Sequence, residues 1–418
     1  MKRKASNEAQ PPASEKTCIK QIKSSAPDYG SKFYWEARYK GSLPSVDAPN
    51  NTGNRLVNGV DLSEVQAGHS WYFSYEELRP LIVDLILNDE DDVSDVLVED
   101  YLTDDDGDDG WEEVSDGVKD DELNEDDSAS DSSVQESQTD TNNNEIDPLE
   151  ARLIEASSQS THSRRPKSVL EIGCGDVPLG ASLAFELNDL QNSTGCNARN
   201  IVSRVECIDY SSVVIENLEK EQRQQQQQNS TTRLKVPPIH PIYSVNDARS
   251  LPQIENNSIS LILEKGTLDA MLSHPNDGIT NSIAIIKEMA RICRINGSIF
   301  IVSHLNAREE KGMGWVRDVL LLGLKEEWLE RERNRRDNND DEMEVLWSIE
   351  VHGGDSTCDY GDEKEEDYEP SFGPAVYILK KRGVTPTIFR DIIMKKEKSS
   401  GSYEDITPPV RLKFLTYS

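Results

Sequence analysis

The six cysteines, Cys18, Cys174, Cys196, Cys207, Cys293 and Cys358, form no C-x-x-C pair and no cluster at metal-ligand spacing. That excludes a disulfide framework and a zinc module, and leaves free thiols in a reducing compartment, so a cytoplasmic protein is expected. No apolar run approaches the length of a membrane span. The basic start M-K-R-K-A-S-N-E-A-Q is not followed by an apolar stretch, so no secretory leader is expected, and Lys2 to Lys4 is too short to imply nuclear import. Basic excess is missing as well: 45 Lys and Arg stand against 78 Asp and Glu, a formal charge of −33. A phosphate-binding surface needs clustered cations, so nucleic-acid and membrane partners are not expected, whereas a basic region of another protein is.

The acidity is local. From Asp89 to Asp147 there are 26 Asp and Glu against one Lys119, which leaves only −8 for the remainder. Like charge with few apolar residues cannot offset the entropy of ordering, so this stretch reads as disordered. The chain divides accordingly into a tail (1–28), N-terminal helices (29–87), an acidic insertion (88–147), a core (148–383) and a C-terminal extension (384–418). In the N-terminal part, F-Y-W-E-A-R-Y (33–39) is a short aromatic helix. W-Y-F-S-Y-E-E-L-R-P-L-I-V-D-L-I-L (71–87) is a second, with Ser74 as cap, Glu77 three residues on, and Pro80 near its first turn or at a kink. Residues 148–157 form a short helix leading back to the fold.

From Lys167 short apolar runs alternate with helical stretches. The runs are Val169–Ile172, Val205–Ile208, Ile242–Val245, Ile259–Leu263, Ser298–Val302, Val345–Val351 and Ala375–Leu379. Helices are expected at Leu179–Leu190, Ser212–Gln222, Leu268–Met271, Ile283–Cys293 and about Trp315–Arg336, with the glutamine run 224–228 in a loop. Continuous apolar strands separated by helices predict an α/β, Rossmann-like, mostly parallel sheet of seven strands, helices on both faces and the last two strands as a hairpin. Little is legible beyond Gly383.

The first strand enters a glycine turn, K-S-V-L-E-I-G-C-G-D-V-P-L-G (167–180). A dinucleotide site wants a third glycine where Pro178 stands, and Glu171 would repel a pyrophosphate, while a carboxylate there suits the cationic methionine portion of S-adenosylmethionine. Candidate ligand residues recur at the ends of the following strands: Asp209 in C-I-D-Y-S for ribose hydroxyls, Asp247 and Ala248 in V-N-D-A-R for adenine, and Glu264, Lys265, Thr267 and Asp269 in L-E-K-G-T-L-D-A. Each has an ordinary alternative. Asp209 would cap a helix, Asp247 would make a turn, Lys265 and Asp269 would form an i, i+4 surface pair, and Trp71, Tyr72 and Phe73 would be core. Their recurrence at one end of consecutive strands favours the ligand reading.

V-L-E-I-G-C-G, I-D-Y-S and above all L-E-K-G-T-L-D-A resemble the seven-strand class I methyltransferases, most closely the group related to the elongation factor 1A lysine methyltransferases and other methyltransferase-like proteins. F-Y-W-E-A-R-Y and W-Y-F-S-Y resemble that group's entry segments. The resemblance covers about 33–87 and 167–303 and, more weakly, the strands to about 382. It implies strand order 3-2-1-4-5-7-6 with strand seven antiparallel, and S-adenosylmethionine as cofactor. By position, Glu171, Gly173 and Gly175 would line its methionine end, Asp209 and Tyr210 the ribose side, and Asp247 and Ala248 the adenine. Glu264 would face the sulfonium, and Tyr72 would wall the nucleophile. Trp35, Arg38 and Trp71 would cover the cofactor, with Arg38 meeting its carboxylate. The activity implied is protein-lysine N-methylation, with a translation elongation factor as target; a small-molecule methyltransferase and a non-catalytic scaffold remain alternatives. The sequence departs from its relatives in the acidic insertion, in longer connections near 191–203 and at the glutamine run, and in the region after strand five.

Overall fold

The computed structural model describes residues 31–40, 56–57, 60–61, 73–88, 112–113, 147–158, 165–229, 236–274, 276–338, 343–353, 373–385, 387–389 and 410–415. The acidic insertion expected to be disordered, like Trp71 and Tyr72, falls almost wholly outside them. The strands of the core are β1 (Lys167–Ile172), β2 (Val202–Asp209), β3 (Ile242–Val245), β4 (Ile259–Lys265), β5 (Cys293–Ser303), β6 (Glu344–His352), β7 (Ala375–Val384) and β8 (Val410–Leu415). They lie in the order β8-β6-β7-β5-β4-β1-β2-β3. The first seven thus follow 3-2-1-4-5-7-6, and β7 runs antiparallel to both β5 and β6. The expected sheet is present.

Its alternation explains why the strands read as unbroken apolar runs. Val169, Leu261, Leu263, Phe300 and Val302 pack on one face, while Leu170, Ile262, Ile299 and Ile301 pack on the other. A strand whose two faces are both covered has no polar side to show. The first face is covered by α2 (Tyr75–Leu87), α3 (Pro148–Ser158), α4 (Leu179–Thr194) and α5 (Ser212–Asn229). The second is covered by α7 (Gly278–Ile292) and by a continuous helical segment, α8 (Glu310–Trp315), a π-helical turn at Val316–Leu320 and α9 (Leu321–Asn338). Two short helices, α1 (Lys32–Tyr39) and α6 (Thr267–Leu272), stand at the carboxyl edge of the sheet.

Two features differ from the sequence reading. The glutamine run is not a loop: α5 continues through it to Asn229. Glutamine is a good helix former, and an exposed helix end can grow without any packing requirement. The region past Gly383 supplies β8, parallel to β6, with Leu412 and Phe414 buried. A two-residue strand, Glu112–Glu113, pairs with the outer side of β8. Six residues without a helical or glycine-turn signature left β8 unread.

The described ends of the insertion are tied to the same place. Arg79 on α2 bonds Asp147 and, at 2.7 Å, Glu186 on α4; Arg152 on α3 meets Asp84 at 2.7 Å; Lys167 donates to the Asn88 carbonyl at 3.2 Å. The chain therefore leaves and re-enters the fold beside α2 and α3. Helix α2 opens with the reciprocal cap the sequence suggested. Ser74 N–H donates to Glu77 at 2.6 Å and Glu77 N–H donates to Ser74 Oγ at 3.3 Å. Pro80 lies in the second turn, where it lacks the N–H that would meet Glu76. Removing the cap with Ser74→Ala should cost about 1 kcal/mol of stability in urea denaturation; an unchanged midpoint would show that packing alone starts the helix.

Candidate functional site

A cavity of about 570 Å³ opens at the carboxyl ends of β1 to β4, beneath α1. Its floor is the glycine turn. Gly173 and Gly175 take φ values of +62° and +57°, a left-handed region costly for residues with a Cβ. A Cβ on Gly173 would also lie 1.9 Å from Thr267 Oγ1, so the turn and the start of α6 can be this close only with glycine there. Gly180 replaces the missing third glycine in its packing role: a Cβ there would be 3.1 Å from Val205 Cγ1, and α4 sits tight on the strands.

Asp209 is nearly buried at the end of β2 and does two things. Its Oδ2 accepts from Gly175 N–H at 3.1 Å and its Oδ1 from Ser211 N–H at 2.8 Å, just ahead of α5. Burial pushes its pKa up against those bonds. It lines the cavity beside Tyr210. At the end of β3, Asp247 and Ala248 also line it, but the Asp247 carboxylate is already clasped by Arg249 at 2.6–3.1 Å, which holds its pKa down. Arg249 reaches on to Asn281 Oδ1 at 3.1 Å, tying the β3 end to α7. From above, Trp35 stacks on Tyr39 with ring centres 5.8 Å apart, and the Arg38 guanidinium lies 5.5 Å from the Trp35 ring centre. All three face the cavity, and burial pushes the Tyr39 phenol well above its ordinary pKa.

Glu171 and Glu264, expected to face a ligand, lie instead behind the wall. Glu171 accepts from Leu179 N–H at 2.9 Å and Gly180 N–H at 2.8 Å, at the start of α4. Glu264 accepts from Thr267 N–H at 2.5 Å and Leu268 N–H at 3.0 Å, at the start of α6, and its Oε2 has no hydrogen-bond partner among the described residues. Helix-start amides attract carboxylates, and both side chains turn toward them and away from the cavity. Burial still wins over these bonds, raising Glu171 to about 7 and, with the field of Asp269, Glu264 to about 8. The supposed surface pair of Lys265 and Asp269 does not form. Asp269 is buried and accepts from Ser303 Oγ at 2.6 Å and His304 N–H at 3.0 Å, whereas Lys265 turns to the Phe73 carbonyl.

Several lining residues had no signal in the sequence. Lys32 comes from the start of α1, and His274, Asp277 and Asn281 come from the α6–α7 junction. Asp277 N–H donates to His274 Nδ1 at 3.2 Å. Only the meeting of two helices brings these side chains to the strand ends. Asp176 was missed as well, although its place directly after Gly175 was a signal for it. Trp71 and Tyr72 lie outside the described residues. Among the described residues no three His, Cys, Asp or Glu come together as a metal site, and no helix is long and apolar enough to cross a membrane.

No family model matches the chain, and no curated protein matches it. Solved structures do resemble it. One is a SAM-dependent methyltransferase of Methanosarcina mazei, 16% identical, covering 53% of this chain and 95% of its own, at a TM-score of 0.28. A TehB-like SAM-dependent methyltransferase of Corynebacterium glutamicum is 17% identical over 56% of this chain and 87% of its own, at 0.28. The N-methyltransferase NodS of Bradyrhizobium japonicum, in complex with S-adenosyl-L-homocysteine, is 14% identical over 56% and 85%, at 0.28. The chemistry of the site is read from its own residues.

Two outcomes test this geometry. Gly173→Ala should destabilise the protein by more than about 2 kcal/mol, the left-handed turn alone costing roughly 1–2, and adding Thr267→Ala should recover only the clash. The buried carboxyls set the second. Their folded pKa values are raised, so the native state holds protons that the unfolded chain has released. Stability should therefore fall as pH rises from 4.5 toward about 8. Glu264→Gln should make that fall shallower in denaturation midpoints taken across the range; an unchanged slope would deny the buried acid its effect.

Proposed function

We propose that the cavity binds S-adenosylmethionine and that the chain is a protein-lysine N-methyltransferase. One observation carries the choice of ligand: the anion seats of the glycine turn are filled by the protein's own carboxylates. Amides at the start of a helix are where a dinucleotide's pyrophosphate would rest. Here Leu179 and Gly180 give theirs to Glu171, and Gly175 gives its own to Asp209. Asp176 stands on the same wall. A diphosphate would meet carboxylates where those three amides are already taken, while a cationic nucleoside fits. The lining as a whole has no excess of cations either, since Asp176, Asp209, Asp247 and Asp277 balance Lys32, Arg38, Arg249 and Lys265.

The residues present fit such a cofactor. Asp209 would accept from ribose hydroxyls beside Tyr210, Asp247 and Ala248 would meet the base, and Trp35, Arg38 and Tyr39 would roof the site. When bound, S-adenosylmethionine supplies a methyl group activated by a sulfonium. The chain's own contribution is orientation and a dry, fitted field, because the displacement is in line and the nucleophile is neutral. A substrate lysine must arrive deprotonated, and the aromatic roof would lower its pKa by desolvation. Glu264 would serve from behind, by fixing the Gly266–Thr267 turn through its two amide bonds. Support for a protein lysine, and for a translation elongation factor as target, comes from the resemblance of Leu263 to Ala270. The acidity of residues 89–147 agrees with a basic region on that partner.

Titration calorimetry should show binding of S-adenosylmethionine and S-adenosylhomocysteine but not of a nicotinamide dinucleotide. Asp209→Ala should weaken both at least about tenfold, roughly 1.4 kcal/mol. Mass spectrometry of a proteome incubated with the enzyme and labelled donor should then find methyl groups on protein lysine, absent with Asp209→Ala. Label confined to small metabolites would refute the lysine assignment while leaving the cofactor in place.

A further inference from the structure

The four cations of the cavity are not equivalent. Arg249 is committed to Asp247 and Asn281. Arg38 lies over the Trp35 ring. Lys32 is half-exposed and meets Glu36 at 3.7 Å. Lys265 differs from all three. It is the last residue of β4, one beyond Glu264, and Glu264 is in register with Ile172, so Lys265 stands beside the Gly173–Asp176 turn. Its ammonium makes one long hydrogen bond, 3.5 Å to the Phe73 carbonyl, and no ion pair within 4 Å among the described residues. Burial opposes its charge and pulls its pKa down, with the fields of Glu171 and Asp176 acting the other way. A cation removed from water with so little compensation is a ready partner for an anion.

The methionine end of the proposed donor carries one anion, its carboxylate, together with an ammonium and the sulfonium. Asp176 on the turn side suits the cationic part of that end, which leaves the carboxylate in need of a positive group near the turn. Arg38, the residue expected from the resemblance to meet it, lies over the Trp35 ring on α1, in the roof of the cavity and not at the strand ends. We propose that Lys265 is the anchor for the carboxylate of the donor's methionine portion, so that the end of β4 fixes the depth at which the donor sits. This rests on the reading of the cavity as a sulfonium-nucleoside site. It also gives the Phe73 contact a purpose: the same ammonium ties the segment leading into α2 to the bound donor, so ligand and entry segment are ordered together.

The test is a comparison of three ligands by calorimetry on the full chain: S-adenosylhomocysteine, decarboxylated S-adenosylmethionine and 5′-methylthioadenosine. Lys265→Met, and Lys265→Gln as a second variant, should weaken S-adenosylhomocysteine tenfold or more. Both should leave the two ligands without a carboxylate within about twofold. Lys265→Arg, which keeps the cation, should retain most of the preference for the carboxylate. Equal losses for all three ligands would overturn the proposal by showing that the lysine merely shapes the cavity, and unchanged binding of S-adenosylhomocysteine would overturn it as well. In either case binding of these ligands by the unaltered chain would leave the cofactor reading standing; failure of that chain to bind any of them would remove both.

Discussion

Two buried carboxylates hold the helix starts that shape the cavity, and the site depends on that arrangement. Glu171 receives the first amides of α4 and Glu264 those of α6, each from the strand that precedes the helix. The bonds fix how each helix leaves its strand, and with that the spacing of Gly173 against Thr267. An internal acid in this position has a second effect. It occupies the amides to which an external anion would otherwise be drawn. The cost is two carboxyls in a dry interior, where burial raises the pKa of both.

The sheet was largely legible because its physical causes are local. The central strands, covered on both faces, are apolar nearly throughout, and seven apolar runs separated by helical spacing leave few arrangements. The strand ends were legible for a related reason: a polar residue directly after such a run has to lie at the sheet edge, which is why Asp209 and Asp247 could be named. What failed was the direction of side chains. Glu171 and Glu264 were placed at the correct strand ends, but a sequence does not show whether a carboxylate turns outward to a cavity or toward the amides that open the following helix. The wall made by His274, Asp277 and Asn281 was hidden for a different reason, since it depends on how α6 meets α7.

The glutamine run and β8 show opposite weaknesses of local reading. Repeated glutamine suggested a loop through its low complexity, yet each residue is a competent helix former on an exposed surface, and α5 simply continues. Val410–Leu415 has the reverse character, because a short segment becomes a strand only where a partner waits for it. Its partner is the free side of β6, a feature visible only once the hairpin of β6 and β7 is formed.

That eighth strand has a consequence for how the protein is made. It pairs in parallel with β6, and such pairing cannot be nucleated by a tight turn, so it waits on a long excursion of chain. During synthesis β1 to β7 all precede β8, so the outer margin of β6 lies bare until residues 410–415 arrive. An open strand margin invites pairing with a neighbouring chain. The last-synthesised part of the sheet therefore acts as its seal, and a nascent chain halted before residue 410 would leave that margin of β6 open to its neighbours.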